Sequence, residues 1–316
     1  MVKLSILLIP AVVCGVIQSA STTNDTNELD KPVRVPARPP GYSKTVFYDD
    51  FTAQTLDITK WKYDIGTAYP GGPAHWGTGE VQTYTNSANN IFITSANTLR
   101  IIPLKEASGV WTSARIETTA AYDMACPAGG RLRVQAHIKV GAAGAAARTE
   151  DGIWSAFWMI GSAIRSNYRN WPEVGEIDIL ESVNGAARDY QTVHCGTARG
   201  GVCNESKGVG GSSGMARGQW HVVQLDIDRA AGGAWTDESL TWSLDGVETL
   251  RIRPGDLQGD PAAWNALAAT AKMILLNVAV GGTFPDSDAG YATPNANTVG
   301  GGDAGMEVDY VIVWST

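Results

Sequence analysis

The chain lacks an apolar run long enough to cross a membrane, which takes roughly 20 residues. The first mostly apolar stretch, Leu4 to Ile17, is too short and is broken by Pro10 and Gly15. No later segment is apolar over the length of a membrane span. The first stretch follows the charged Lys3 and precedes small residues, which is the pattern of a secretory signal peptide. We therefore expect residues 1–20 to be cleaved off and the rest of the chain to be secreted, extracellular and free of the membrane.

Basic residues are in the minority, with 24 Lys and Arg against 32 Asp and Glu and a formal net charge of -8. Removal of the signal peptide takes away Lys3 and no acidic residue, which changes that charge to -9. An acidic surface repels the phosphate backbone, so the composition argues against nucleic acid as a partner. It suits a neutral substrate.

Histidine and cysteine are scarce, with four residues of each. The histidines show no metal-ligand spacing; they are His75, His137, His194 and His221. Cys14 leaves with the signal peptide, whereas Cys195 and Cys203 bracket a Gly-rich loop that a disulfide would close in an oxidising compartment. Cys126 is interpreted as a small buried hydrophobe, because no neighbouring His suggests an activated nucleophile.

The chain shows no internal repeat and only one linker-like segment. Residues 21–41 are polar and hold four prolines in their second half, which predicts an extended or disordered lead-in. Residues 42–316 then form one domain, in which short β-branched and aromatic runs alternate with Gly, Asn, Asp and Ser clusters. Asp245-Gly246 between two such runs predicts a two-residue hairpin, and only residues 262–271 favour a helix. The pattern predicts an all-β fold with two sheets packed as a β-sandwich.

One hexapeptide, Glu176-Ile-Asp-Ile-Leu-Glu181, places three carboxylates on an apolar strand, where ionised groups are unfavourable unless paired or used. Strict alternation would put Glu176 and Asp178 on one face and Glu181 on the other. A β-bulge at Ile179-Leu180 would bring Glu181 back beside them. The pair could then act as nucleophile and acid in glycosidic cleavage with retention, which needs carboxyls roughly 5 to 5.5 Å apart. The competing interpretation is a row of acids on the solvent face of an edge strand.

Three stretches around the hexapeptide resemble glycoside hydrolase family 16, particularly its laminarinase-like endo-β-1,3(4)-glucanases. They are the run from Asp151 to Gly161, the pair Trp171-Pro172, and the run from Gly175 to Glu181. The resemblance extends over most of the domain and implies a jelly-roll β-sandwich of the concanavalin A-like lectin and glucanase type, with a concave substrate cleft. It also implies retaining hydrolysis within β-glucans.

Roles carry over from the resemblance residue by residue. Glu176 matches the nucleophile, Asp178 its assisting acid and Glu181 the acid/base. Trp171, His194 and Arg115 match substrate-binding positions. The six-residue spacing resembles laminarinase-, agarase- and carrageenase-like members rather than lichenases and xyloglucan-active transferases. The acidic chain is a poor partner for sulfated polymers, which leaves a neutral β-glucan.

The remaining expectations concern partners and modification. The chemistry needs no cofactor; Asp309 matches a position that helps hold a structural calcium in some relatives, and we do not assign that metal. We expect a monomer, with Asn24 and Asn204 as glycosylation acceptors in a eukaryotic host. Two alternatives stay open: a β-glucan transglycosylase, and a non-catalytic β-glucan-binding protein on the same sandwich.

Overall fold

The computed structural model describes residues 35–142 and 149–316. The predicted signal peptide, residues 1–20, lies outside these ranges, as do Asn24 and most of the lead-in at residues 21–41. Helices in the described part of the chain are all too short or too polar to span a membrane.

Short strands account for most of the regular structure. In chain order they are β1 (Lys44–Asp49), β2 (Trp61–Asp64), β3 (Thr83–Tyr84), β4 (Ile91–Ile93), β5 (Leu99–Ile101), β6 (Leu104–Lys105), β7 (Trp111–Ser113), β8 (Arg115–Thr118), β9 (Arg131–Val140), β10 (Ile153–Gly161), β11 (Glu176–Val183), β12 (Arg188–His194), β13 (Val209–Gly214), β14 (Trp220–Asp228), β15 (Ser239–Leu244), β16 (Val247–Ile252), β17 (Lys272–Val280) and β18 (Met306–Ser315). The α-helices are α1 (Pro261–Ala268) and α2 (Thr283–Ala289). Single 3-10 turns lie at Ala74–Gly77, Ala120–Tyr122, Ser162–Ser166, Trp235–Asp237, Pro254–Leu257 and Gly302–Ala304.

The strands form two large sheets and one small one. The eight-stranded sheet has the order β16-β15-β14-β9-β18-β5-β4, with β1 also paired to β18. The seven-stranded sheet has the order β13-β12-β11-β10-β17-β8-β2, and β3, β7 and β6 form a small third sheet. Neighbouring strands in both large sheets are antiparallel. This arrangement confirms the predicted all-β jelly-roll sandwich.

The core lies between the two large sheets, because alternate side chains of each strand point inward. In β14, buried and half-buried residues alternate along the whole strand, whereas every residue of β17 is buried. On the seven-stranded sheet, Phe157 and Ile177 belong to the core between the sheets. The opposite face of that sheet, here called the site face, carries Glu176, Asp178 and Glu181.

The hairpin prediction is confirmed and the helix prediction is incomplete. Leu244 and Val247 pair across Asp245-Gly246, and both turn residues have positive φ, at 51° and 79°. That combination is what a type I′ turn requires. The predicted helix over 262–271 is α1, with Asp260 as its N-cap. Helix α2 was not expected, because its Thr, Pro, Ser and Asp residues favour turns; two preceding glycines and the left-handed Gly290 delimit it.

Candidate active site

A β-bulge interrupts β11 at the predicted place. On one side of the strand, Asp178 and Leu180 pair with consecutive residues of β10, so that Ile179 is extra. On the other side, the register also shifts between Asp178 and Glu181. A single additional residue reverses strand alternation. The bulge therefore returns Glu181 to the face that carries Glu176.

The three carboxyl groups share one buried neighbourhood on the site face. Asp178 is 4% exposed and Glu181 8% exposed, and Glu176 is half-buried. Burial raises the pKa of Asp178 well above its ordinary range, and the charges of Glu181 and Glu176 raise it further. These effects favour the protonated form of Asp178 beside the two glutamates.

Burial raises the pKa of both Glu176 and Glu181, but different neighbours act to lower it in each case. Burial raises the pKa of Glu176, while the charge of His194, a hydrogen bond from Trp171 and the charge of Arg115 act to lower it. For Glu181, burial and the charge of Glu176 raise the pKa to about 7, against the opposing influence of His194 and Trp154. Two glutamates with different environments are what retaining glycosidic cleavage requires, since one must be ionised and the other protonated.

Trp154 fixes Glu181 from the neighbouring strand. Its indole Nε1 donates to Glu181 Oε1 at 2.9 Å. The ring also meets the ring of Phe284 edge to face, with centroids 5.6 Å apart. Glu181 is therefore held by a donor that is itself packed, which limits the positions of its carboxyl group.

His194 lies beside Asp178, and its ring is oriented by a contact with Glu205. Its Nδ1 lies 2.8 Å from Glu205 Oε2, and its Nε2 lies 3.5 Å from Asp178 Oδ2. Burial lowers the pKa of His194, but the Glu205 hydrogen bond and the charges of neighbouring glutamates outweigh it and raise the pKa overall. The predicted disulfide between Cys195 and Cys203 is present, and Glu205 follows it by two residues and accepts a hydrogen bond from the backbone N–H of Cys195 at 2.9 Å.

The Arg115 side chain is buried and packs against aromatic rings. Its side chain is 7% exposed, and its Nε donates to Asp64 at 3.1 Å. Its guanidinium carbon lies 4.5 Å from the ring centroid of Trp76, 4.9 Å from that of Trp158 and 5.3 Å from that of Tyr69. The structure thus places Arg115 where its charge reaches Glu176 while its surface is covered.

Trp171 lies in the turn that precedes β11, five residues before the nucleophile candidate. Its ring centroid lies 5.5 Å from that of His194. Between Trp171 and Glu176, Gly175 has a φ of +73°, and a Cβ at this position would lie 2.5 Å from the carbonyl oxygen of Ala266 in α1. The glycine beside the first Glu is therefore explained by the close approach of helix backbone.

Metal-binding capacity in the described residues is confined to the same place. Ligand atoms of Glu176, Asp178 and His194 lie within 4.8 Å of one another. Asp309, the position weighed for calcium, pairs instead with His137, whose Nδ1 lies 3.0 Å from its Oδ2. The expectation that the chemistry needs no cofactor stays a prediction.

The structure thus brings five of the six predicted site residues together, with Arg115 under the adjoining rings. Sequence reasoning missed Glu205, which lies just after the disulfide-closed loop and contacts His194 Nδ1. The signal was its position two residues after Cys203. Trp154 was noted only as an aromatic residue near the motif, and its bond to Glu181 depends on the bulge.

Comparison with known proteins agrees with this geometry. Residues 135–239 match the family model described as "XgeA-like, catalytic GH16 domain". A beta-glucanase from Rhodothermus marinus is 30% identical over 254 residues, which is 76% of each chain. The crystal structure of an endo-1,3-beta-glucanase from Streptomyces sioyaensis is 40% identical, with a TM-score of 0.81 over 89% of this chain and 99% of that one.

A longer relative is similar over only part of its length. Glucan endo-1,3-beta-glucosidase A1 of Niallia circulans is 28% identical over 294 residues, or 85% of this chain and 37% of that protein. The chain thus spans about a third of the length of the larger curated relatives that it matches. From the extent of these matches, the bulged carboxylate strand and the sandwich around it, we conclude that the chain belongs to glycoside hydrolase family 16.

Proposed function

We propose that the protein is an endo-acting hydrolase of β-1,3-glucan, or of mixed β-1,3/1,4-glucan, that retains the anomeric configuration. One observation carries the proposal: the bulge at Ile179-Leu180 returns Glu181 to the face and electrostatic neighbourhood of Glu176. The names of the relatives at 30% and 40% identity support a β-glucan as the substrate.

The first step forms a covalent glycosyl-enzyme. The Glu176 carboxylate attacks the anomeric carbon, and the bond from this carbon to the glycosidic oxygen breaks. The departing oxygen keeps the bonding electron pair and takes the proton of Glu181. A pKa of about 7 keeps Glu181 protonated in mildly acidic solution.

The second step returns the enzyme to its starting state. The Glu181 carboxylate accepts a proton from water as the water oxygen attacks the anomeric carbon. The ester bond to Glu176 breaks, and its electron pair returns to the carboxylate. Two inversions leave the product with the configuration of the substrate.

Asp178 assists through its position between the two glutamates. Burial and the charges of the two glutamates raise the pKa of Asp178, and in its protonated form Asp178 would neither repel an ionised Glu176 nor compete with it for the charge of His194. We assign Trp171 to stacking on a sugar ring and His194 to the same cleft, and Arg115 to holding the aromatic floor under the sugar.

The site of action follows from the same features. A disulfide between Cys195 and Cys203 persists in an oxidising compartment, which supports action outside the cell. We propose that a single copy of the chain works there on the polysaccharide.

Substrate choice and product analysis test the function. We expect release of reducing ends from laminarin, less from lichenan, and none from agarose or xyloglucan. Proton NMR early in the reaction should show the β-anomer first; an initial α-anomer would contradict retention.

The two alternatives give different results in the same assay. Glucan chains longer than the substrate would identify a transglycosylase. A protein that binds laminarin but releases no reducing ends would be a non-catalytic binding protein, and the hydrolase proposal would then be wrong.

A further inference from the structure

The bulge in β11 is contacted from inside the sandwich at its N-terminal end. Trp242, on β15 of the eight-stranded sheet, donates its indole N–H to the main-chain carbonyl of Asp178 at 2.8 Å. Asp178 is the last residue before the register shift on both sides of the strand. Trp242 is completely buried, so this hydrogen bond crosses the dry space between the two sheets.

A chain of polar side chains reaches the other end of the bulge. Thr249 on β16 donates to Gln191 Oε1 at 2.9 Å, and Gln191 Nε2 donates to Asp189 Oδ2 at 2.8 Å. The backbone N–H of Glu181 interacts with the Asp189 carboxyl group, although Asp189 Oδ1 has no hydrogen-bond partner of ordinary geometry in the described residues. Asp189 is completely buried on β12, opposite the site face.

Such groups are unfavourable in a sandwich core. A buried carboxyl group destabilises the fold unless hydrogen bonds replace its lost hydration, and a buried oxygen without a partner is uncommon. The Trp242 indole and the Asp189 carboxyl group reach Asp178 and Glu181, the two residues that flank Ile179 and Leu180. A bulge interrupts the backbone hydrogen bonds between strands, so the backbone groups at these residues need other partners. Packing alone would be served better by apolar residues at positions 189 and 191.

We propose that Trp242 and Asp189 are positioning residues that hold the bulge at its two ends and so set the separation of Glu176 and Glu181. The inference rests on the proposed hydrolase function, since it concerns the geometry of the same two glutamates. Neither residue touches the substrate. Each acts through main-chain atoms of the strand that carries the reacting groups.

The first test removes one donor and keeps an aromatic ring. Trp242→Phe should lower kcat on laminarin about tenfold, as expected when one buried hydrogen bond no longer positions a reacting group, with KM changed less than about twofold. The matched control is Trp61→Phe, because Trp61 is also fully buried and its indole donates to Asp49 at 2.8 Å, away from β11. The control should lose stability to a similar degree and keep kcat.

A second substrate separates positioning from general damage. An aryl β-glucoside with a dinitrophenol leaving group departs without a proton, so its first step does not need Glu181. The burst of dinitrophenol should be much less impaired in Trp242→Phe than laminarin hydrolysis is. Equal losses on both substrates, or an unchanged kcat on laminarin, would overturn the role assigned to Trp242.

Asp189 is tested by a pair of variants. Burial raises the pKa of Asp189 well above its ordinary range, which favours its neutral form, and Asp189→Asn keeps a neutral polar group of similar size at this position. Asp189→Asn should keep kcat within about threefold of wild type, whereas Asp189→Leu should lose about tenfold or more. Equal kcat values in the two variants would exclude Asp189 from positioning.

One measurement needs no turnover and so stands even if the wild type is inactive. Carboxyl carbon NMR, with Glu181→Gln to assign the signal, follows the titration of Glu181 in each folded variant. Trp242→Phe and Asp189→Leu should shift its midpoint from that of wild type, and Trp61→Phe should not. An unchanged midpoint in all three would overturn the inference, while an inactive wild type would instead refute the proposed hydrolase.

Discussion

Two strands, β14 in the eight-stranded sheet and β11 in the seven-stranded sheet, treat their carboxylates in opposite ways. On the eight-stranded sheet, Asp226 lies directly across from Arg133 and accepts two hydrogen bonds from it, at 2.6 and 3.0 Å. On the seven-stranded sheet, the three acids of β11 are buried against one another. The Nε2 atom of His194 lies 3.5 Å from Asp178 Oδ2.

The comparison distinguishes a carboxylate paired with an Arg, which stabilises the fold, from carboxyl groups that can exchange protons. A carboxylate opposite an Arg is satisfied in the ionised form and has no reason to exchange a proton. A carboxyl group buried among other acids has a raised pKa, which makes proton transfer near neutral pH accessible. The paired acid of β14 thus serves as an internal control for the acids of β11.

The largest expected difference comes from replacing one carboxylate by an amide on each sheet. Glu176→Gln should reduce kcat on laminarin by about 10⁴-fold or more, because the amide cannot form the covalent intermediate. Asp226→Asn, the matched change on the other sheet, should stay within about twofold of wild type, as expected for a partly exposed pair. Initial rates with circular dichroism spectra check both variants; near-normal turnover by folded Glu176→Gln would refute the nucleophile.

The second largest difference is expected for Glu181. Glu181→Gln should lose about 10²- to 10⁴-fold on laminarin, the usual contribution of a general acid. Azide needs no general base to attack the glycosyl-enzyme, so adding it should restore part of the rate with an activated aryl glycoside and yield a β-glycosyl azide. Full activity without azide would count against the assignment.

A pH profile sharpens the distinction between the two glutamates. Because the pKa of Glu181 is about 7, kcat/KM on laminarin should fall above that pH as the acid loses its proton. The alkaline limb should vanish in Glu181→Gln assayed with an activated aryl glycoside, and Asp226→Asn should keep it. A rate that stays constant well above neutral pH would show that another group supplies the proton.

The smallest expected effect is on stability. Between the ordinary and the raised pKa of Asp178, the folded protein holds a proton that the unfolded chain has released, so stability falls as pH rises through this window. Asp178→Asn removes this dependence and should raise Tm at neutral pH by about 2 °C, whereas Asp226→Asn should lower it by a similar amount. Thermal unfolding measures both; a lower Tm for Asp178→Asn would mean that the acid stabilises the fold.

Short sequence patterns correctly predicted the features that depend only on neighbouring residues. The Asp245-Gly246 hairpin follows from two residues that tolerate positive φ, and the bulge follows from a Glu one position out of alternation. The disulfide follows from two cysteines that bracket a short loop. Each of these features is determined within a stretch of fewer than about ten residues, in the same way as a hairpin is determined by its turn.

Contacts between distant segments could not be predicted in this way. Glu205 meets His194 from 11 residues further along the chain, and Trp242 meets Asp178 across the space between the two sheets. Arg115 was expected on the substrate side, yet its aromatic cover includes Trp76 from a loop far along the chain. Apart from the position of Glu205 just after Cys203, nothing near these residues in the sequence indicates their partners.

Gly175 has a consequence for any attempt to redesign this site. Since even a methyl group there would collide with the carbonyl oxygen of Ala266, the residue before the nucleophile offers no freedom for substitution. Libraries that randomise the hexapeptide's N-terminal neighbour should recover glycine almost alone. Variation in substrate choice must therefore come from the loops around the strand, while the approach to Glu176 is fixed by helix backbone.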